Sequence, residues 1–295
     1  MVKLIDKVIM VIDYKAEIQK IKDLPTIPET FNRITRLLLD ENSSIIELTK
    51  EISMDQALTA KILKIVNSAY YGFYRKISDL NDAVALLGFN EVKLMVMGVS
   101  VFEPFSSSIK DPKERYHFWE HSMLCSITAE NIGEQIKCEA KDLSVAGLLH
   151  DIGKVVLDRY FHDEWCKYLD KQAGDSRPNM EVEQECLGVT HAEIGYLVAE
   201  RWNLPPNLVE CIKLHHDPDP ESLYYNQICV ISLANVLCKS IASETRPTEN
   251  LEIPKDLIKV LNLDNSTLTA VLTNVIPRLK GIKALLGTYI VPESE

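Results

Sequence analysis

Only seven of the 295 residues are histidine, at positions 117, 121, 150, 162, 191, 215 and 216. Five of them, His121, His150, His191, His215 and His216, stand in or at the edge of apolar, helix-patterned sequence. His150 is followed directly by Asp151 within Ala146-Gly147-Leu148-Leu149-His150-Asp151-Ile152-Gly153-Lys154. Adjacent residues on a helix point about 100° apart, close enough for both side chains to reach one ion. A carboxylate buried in such a segment needs a cation, a histidine or backbone donors around it. Imidazole and carboxylate together suit iron, manganese, zinc or nickel, so these residue types predict a transition-metal site. The competing reading is that each imidazole is a hydrogen-bonded core residue, the commoner fate of a single buried histidine. Five of them on one apolar scaffold favour the metal.

The elements that must position these groups are helices. Helical patterning covers 116–135, 143–160, 191–202, 206–215 and 227–241, with the His150–Asp151 pair in mid-helix. His215 keeps helical spacing from Leu208, Cys211 and Ile212, and His216 borders that face. His191 opens a helix whose capping box is Thr190 with Glu193. His117 is expected at the surface and His162, after a helix end, in solvent.

Upstream, residues 1–22 read as one amphipathic helix, stopped by Leu24-Pro25-Thr26-Ile27-Pro28. A helix from Glu29 follows, then one opened by the Ser44–Glu47 capping box. Asp55 caps the next, with Leu58, Ile62, Ile65, Val66 and Ala69 on its apolar side. Short helices over 82–87 and 91–102 complete this half. A helix-turn-helix DNA reader shares this look, but Gln56, Lys61, Lys64 and Asn67 are a thin set for reading base edges. Ser106, Ser107, Ser108, Asp111 and Pro112 form the best internal linker. The expected divisions are an extension over 1–23, a helical subdomain over 24–110, a helical core over 111–245 and a C-terminal helical extension over 246–295. The fold class is all-α.

The 32 basic and 43 acidic residues leave a net charge of −11. Residues 1–110 are neutral, with 14 of each sign, so the whole acidic excess falls beyond them. An acidic chain does not gather phosphate polyanions, which argues against general nucleic-acid binding. With 11 glycines, Gly-rich phosphate loops are unexpected. The seven cysteines contain no C-x-x-C pair and fit reduced thiols in a cytoplasmic protein. No apolar stretch has the length of a membrane span.

In its ordered strings the chain resembles the HDOD family, the HD-related output domain branch of the HD phosphohydrolase superfamily, over roughly 20–240. The strings are Leu24 to Pro28, Ile52-Ser53-Met54-Asp55-Gln56-Ala57-Leu58-Thr59, Val66-Asn67-Ser68-Ala69-Tyr70-Tyr71-Gly72 and Ala83-Val84-Ala85-Leu86-Leu87-Gly88. Phe118-Trp119-Glu120-His121-Ser122, Gly147 to Lys154, Val189 to Gly195, Glu200 to Pro205 and His215-His216-Asp217-Pro218 complete the set. The resemblance implies an HD-like helical core with a helical subdomain packed on it, and His121, His150, Asp151, His191, His215 and His216 as metal ligands. It places Lys154 where HD enzymes meet substrate phosphate. It also puts Asn235 where they carry a final aspartate, and Asp217-Pro218-Asp219-Pro220 where HD-GYP enzymes carry Gly-Tyr-Pro. The implied role is therefore a non-catalytic bacterial signalling module with a residual divalent transition-metal site, acting through a signalling partner or a nucleotide-like ligand. The alternative is an active metal-dependent phosphohydrolase.

Overall fold

The computed structural model describes residues 13–21, 24, 33–34, 37, 44–68, 71–102, 109, 111–138, 142–242 and 253–290. Among them there is no strand, and the chain is all-α as its patterning predicts. Most of residues 1–23 and the start of the helix expected from Glu29 lie outside the described residues, as do Ala69, Tyr70 and 243–252.

Helix α1 (Tyr14–Lys20) begins at Asp13, whose side chain accepts from the Ala16 N–H. Ser44 and Glu47 form the expected capping box of α2 (Ile45–Ser53), and Asp55 caps α3 (Gln56–Val66). Leu58, Ile62, Ile65 and Val66 turn the apolar stripe of α3 into the core. Helices α4 (Leu80–Leu87) and α5 (Phe89–Phe102) close this subdomain. Asn67 holds its turn together: its amide donates to the Leu63 and Ile77 carbonyls and accepts from the Ile77 N–H, each at 2.7 Å.

The long helix α6 (Pro112–Gln135) carries proline at its first position, where the missing N–H costs nothing. It packs against α7 (Leu143–Leu149), α13 (Tyr225–Ala242), α15 (Asn265–Val275) and α16 (Leu279–Ile290). Around this axis lie α8 (Ile152–Tyr160), α9 (His162–Gln172), α10 (Asn179–Leu187), α11 (His191–Arg201), α12 (Pro206–Leu214) and α14 (Lys255–Val260). One apolar core runs from Ile34 to Leu286, joining helices α2–α5 with α6, α7 and α13 and with the C-terminal helices α14–α16. A second cluster lies under α1, where Tyr14 and Ile18 pack with Val156, Trp165, Tyr168 and Val198.

Two expectations are corrected. The helix read over 143–160 is two helices, broken at His150 and Asp151, with Asp151 at φ −99° and ψ 10° as the N-cap of α8. Apolar periodicity resumes after the break, which is why the sequence pattern hides it. Helices α9 and α10 fill a stretch in which no element was expected. In α9 the inward positions Trp165, Tyr168 and Leu169 are spaced i, i+3, i+4 among charged residues, a weak signal. No helix among the described residues is long and apolar enough to cross a membrane.

Candidate metal centre and its cavity

Three glycines bring the chemistry-bearing helices together. A Cβ on Gly147 of α7 would stand 2.7 Å from the Cys125 carbonyl oxygen of α6. A Cβ on Gly153 of α8 would stand 1.9 Å from the His191 carbonyl oxygen of α11. At Gly195 of α11 it would meet the Ile212 side chain of α12 at 2.7 Å. Backbones can approach this closely only where a side chain is missing. The residues of α6, the α7–α8 break, α11 and the end of α12 therefore face one another.

Asp151 stands at the centre. Its Oδ1 lies 3.0 Å from His191 Nε2 and 3.6 Å from His215 Nε2. Its Oδ2 lies 3.4 Å from His150 Nε2, 3.7 Å from His121 Nε2 and 2.6 Å from Lys154 Nζ. His216 joins through its Nε2, 3.1 Å from His191 Nε2. All six residues read from the sequence as metal ligands converge, with Lys154 beside them. Asp151, His150, His191 and His215 are buried, His121 and His216 partly so.

The outer ring nitrogens are engaged elsewhere. His150 Nδ1 is 2.8 Å from the Gly147 carbonyl, and His215 Nδ1 is 2.9 Å from that of Ile212. His191 Nδ1 is 2.8 Å from both carboxylate oxygens of Glu183, which also accepts the His191 backbone N–H. With Nδ1–H donating outward, each Nε2 presents a lone pair to the centre, the arrangement by which outer partners orient metal-bound histidines. Burial, reinforced by His150, pushes His121 down to about 3. Burial likewise pushes His215 down to about 4 and His216 lower still, with His215 and His191 adding to the shift of His216. Burial and Lys154 disfavour charge on His191, but the protonated form of its ring, unlike the neutral form, can donate to Asp151 as well as to Glu183, and this outweighs them and raises it. Burial opposes ionisation of Asp151, yet Lys154 and His150 hold it well below the usual carboxylate range.

This donor set fits a transition ion. His215 Nε2 is buried without a hydrogen-bond partner. Asp151, His191, His215 and His216 bring one ligand atom each within 4.8 Å of one another, as do His121, Cys125 and His150. Cys125 Sγ is 3.6 Å from His121 Nε2, and burial raises its thiol well above the usual range, so a thiolate there requires an ion.

A cavity of about 560 Å³ opens on the centre, lined by His121, Asp151, Lys154, Lys239, Phe118 and Trp165 among others. Sequence reasoning missed Cys125, Glu183 and Lys239. Glu183 left one sign, an acid sharing a helix side with Cys186 and Leu187. Lys239 lies one turn after Asn235, which is buried with its Oδ1 unpartnered. His117 is 74% exposed, as expected. His162 is not in open solvent: its ring bonds to Asp158 at 2.7 Å in the cavity wall. The short turn between α8 and α9 swings it back.

The profile of the HDOD domain matches residues 24–218. An uncharacterised protein of Treponema pallidum is 27% identical over 249 residues, covering 83% of this chain and 47% of its own length. The chain thus spans about half that curated relative. An HDOD domain protein of unknown function from Geobacter sulfurreducens superposes with TM-score 0.69 at 23% identity, over 93% of this chain and 96% of that one. A structure from Marinobacter aquaeolei VT8, provisionally described as a signal transduction protein, gives TM-score 0.73 at 20% identity, over 90% and 60%. These two likenesses show a shared fold.

Proposed function

The chain belongs to the HDOD domain family, and from that premise we propose that it is a non-catalytic regulatory module of bacterial signal transduction. In this reading the Asp151 cluster holds a transition ion, the adjoining cavity takes a nucleotide-like ligand, and a signalling protein in the cytoplasm is the partner. The observation that carries it is the charge at the centre. Five imidazoles share a single carboxylate, Asp151, whose Oδ2 is already paired with Lys154 at 2.6 Å. On α13, where the resemblance to HD enzymes calls for a second carboxylate, stands the neutral amide of Asn235.

Iron, manganese, zinc or nickel would be held by Asp151 with His191, His215 and His216 on one side and His121 and His150 on the other. Such an ion supplies Lewis acidity to a phosphoryl oxygen and lowers the pKa of bound water. The chain's own part is to orient: Glu183 fixes His191, the Gly147 and Ile212 carbonyls fix His150 and His215, and Lys154 and Lys239 offer ammonium groups to phosphate. With one carboxylate at the centre, anchoring is weaker than in a site with two, so the reading assigns binding rather than turnover.

The second reading, an active metal-dependent phosphohydrolase, is favoured by one observation, the cavity's direct access to Asp151 and Lys154. The protein loaded with Fe²⁺ or Mn²⁺ and offered cyclic dinucleotides and nucleotide phosphates decides between the two. Saturable binding without product is expected. Metal-dependent turnover that disappears in Asp151→Ala overturns the regulatory reading.

A further inference from the structure

The two ends of the cavity differ in chemistry. Lys154, Asp158, His162, Trp165 and Leu169 recur every three or four residues along α8 and α9, and all five line it. This stripe starts beside Asp151, so the cavity runs outward from the metal centre along the two helices. At 1.5 Å per residue, Asp158 stands about 6 Å beyond Lys154. On the facing helix α6, His121 marks the metal end, and Phe118 and Glu114 follow at successive turns away from it.

Cations gather at the metal end. Lys154 is paired with Asp151, whereas Lys239 of α13 lines the same cavity with no ion pair among the described residues. At the outer end the polar groups are acceptors. The Asp158 side chain is only 7% exposed. Its Oδ1 accepts the His162 Nδ1–H at 2.7 Å, and its Oδ2 is buried without a hydrogen-bond partner. A buried carboxylate oxygen without a donor carries a desolvation cost that a donor removes. Glu114 adds a further carboxylate at the exposed rim. Between the two ends lie the rings of Phe118 and Trp165. Such walls suit a flat aromatic ring, which stacks by its faces and keeps its edge for hydrogen bonds.

A ligand that satisfies both ends is an anion joined through a spacer to a flat ring bearing N–H donors. Resting on the reading of this cavity as a nucleotide-like site, we propose that Asp158, held by His162, selects nucleotides whose base carries an exocyclic amine. The amine donates to Asp158 Oδ2, the ring lies between Phe118 and Trp165, and the phosphate lies toward Lys239 and the metal centre. The amines of adenine, cytosine and guanine meet this requirement. Hypoxanthine and uracil carry an oxo group where adenine and cytosine carry the amine, and its lone pairs face the carboxylate. A site built to accept an N–H rejects the analogue that lacks it, because its own buried polar group is then left unpaired.

The test is equilibrium binding to the full chain, with Mn²⁺ present, of AMP against IMP, GMP against IMP and CMP against UMP, with ribose 5-phosphate as the probe of the phosphate end. In at least one pair the amino partner is expected to bind about tenfold or more tighter, the worth of one hydrogen bond to a charged group. The pair that discriminates gives the position of the amine. Asp158→Asn should remove that preference by weakening the amino partner about tenfold, with ribose 5-phosphate bound as before. Lys239→Gln should weaken ribose 5-phosphate and every nucleotide alike and keep the preference. Equal affinity within all three pairs, or a preference that survives Asp158→Asn, overturns this proposal alone. Failure of every nucleotide to bind overturns it together with the nucleotide reading of the cavity. If Asp158→Asn does not fold, the paired comparisons on the unaltered chain still decide.

Discussion

Glu183 is fully buried and accepts both the ring Nδ1–H and the backbone N–H of His191. Replacing it with Gln removes charge from both bonds and leaves an amide N–H₂ in a closed site. Such a change costs about 1.5–3 kcal/mol of stability, the range for hydrogen bonds to charged groups. It should also cost about 10–100-fold in metal affinity, as loss of an outer partner of a ligating histidine does. Denaturant melts and metal titration of Glu183→Gln read the two effects separately; a variant that is destabilised yet binds metal as before would show that His191 is no ligand. Asn235→Asp runs the opposite way. A second carboxylate beside the cavity should raise affinity for Mn²⁺ or Fe²⁺, and unchanged affinity would mean that this residue does not face the ion. The histidines and Asp151 were legible because each is a polar type set in an apolar frame. Glu183 was not, because it belongs to a helix whose sequence is charged on most sides.

Between elements, contact depends on what is absent. Helices α8 and α11 cross with Gly153 against the His191 carbonyl, where even a methyl group would overlap backbone. Backbone cannot rotate away as a side chain can, so Gly153→Ala must push the helices apart. Overpacking of this kind costs about 1–3 kcal/mol or more, and here it also draws His191 away from Asp151. Gly174→Ala is the matched control: its added Cβ meets nothing within 4 Å, so stability should hold or rise by about 0.4–1 kcal/mol. Chemical denaturation with metal titration of both variants checks this, and equal behaviour of the two would refute the close-contact account. Helix identity and the caps at Ser44, Asp55 and Thr190 could be read from sequence because each is local. The break at His150 could not, since the force that ends α7 there is the packing of Gly147 and Gly153 on helices 22 and 38 residues away, at Cys125 and His191.

For the whole molecule, the domain match ends at residue 218, but the core does not. Helix α13 follows that boundary and buries Ile228, Val230, Ile231, Leu233, Leu237 and Ile241 against α6 and α7. At about 1.5–3 kcal/mol for each such side chain, these six alone match the roughly 5–15 kcal/mol by which a folded domain is stable. Helices α15 and α16 then cover another side of α6. Arg278, just before α16, donates to Glu91 of α5 at 2.7 Å, and Glu91 also accepts from Tyr71 at 3.0 Å, so the C-terminal helices reach back to the N-terminal subdomain. A fragment of residues 24–218 therefore exposes the inner face of α6 and α7, the same helices that carry His121 and lead into His150. It should lack a cooperative thermal transition, bind a hydrophobic dye and hold no metal, while the full chain melts cooperatively. A fragment that melts as sharply and as high as the full chain would show that the region beyond 218 decorates the core rather than completing it.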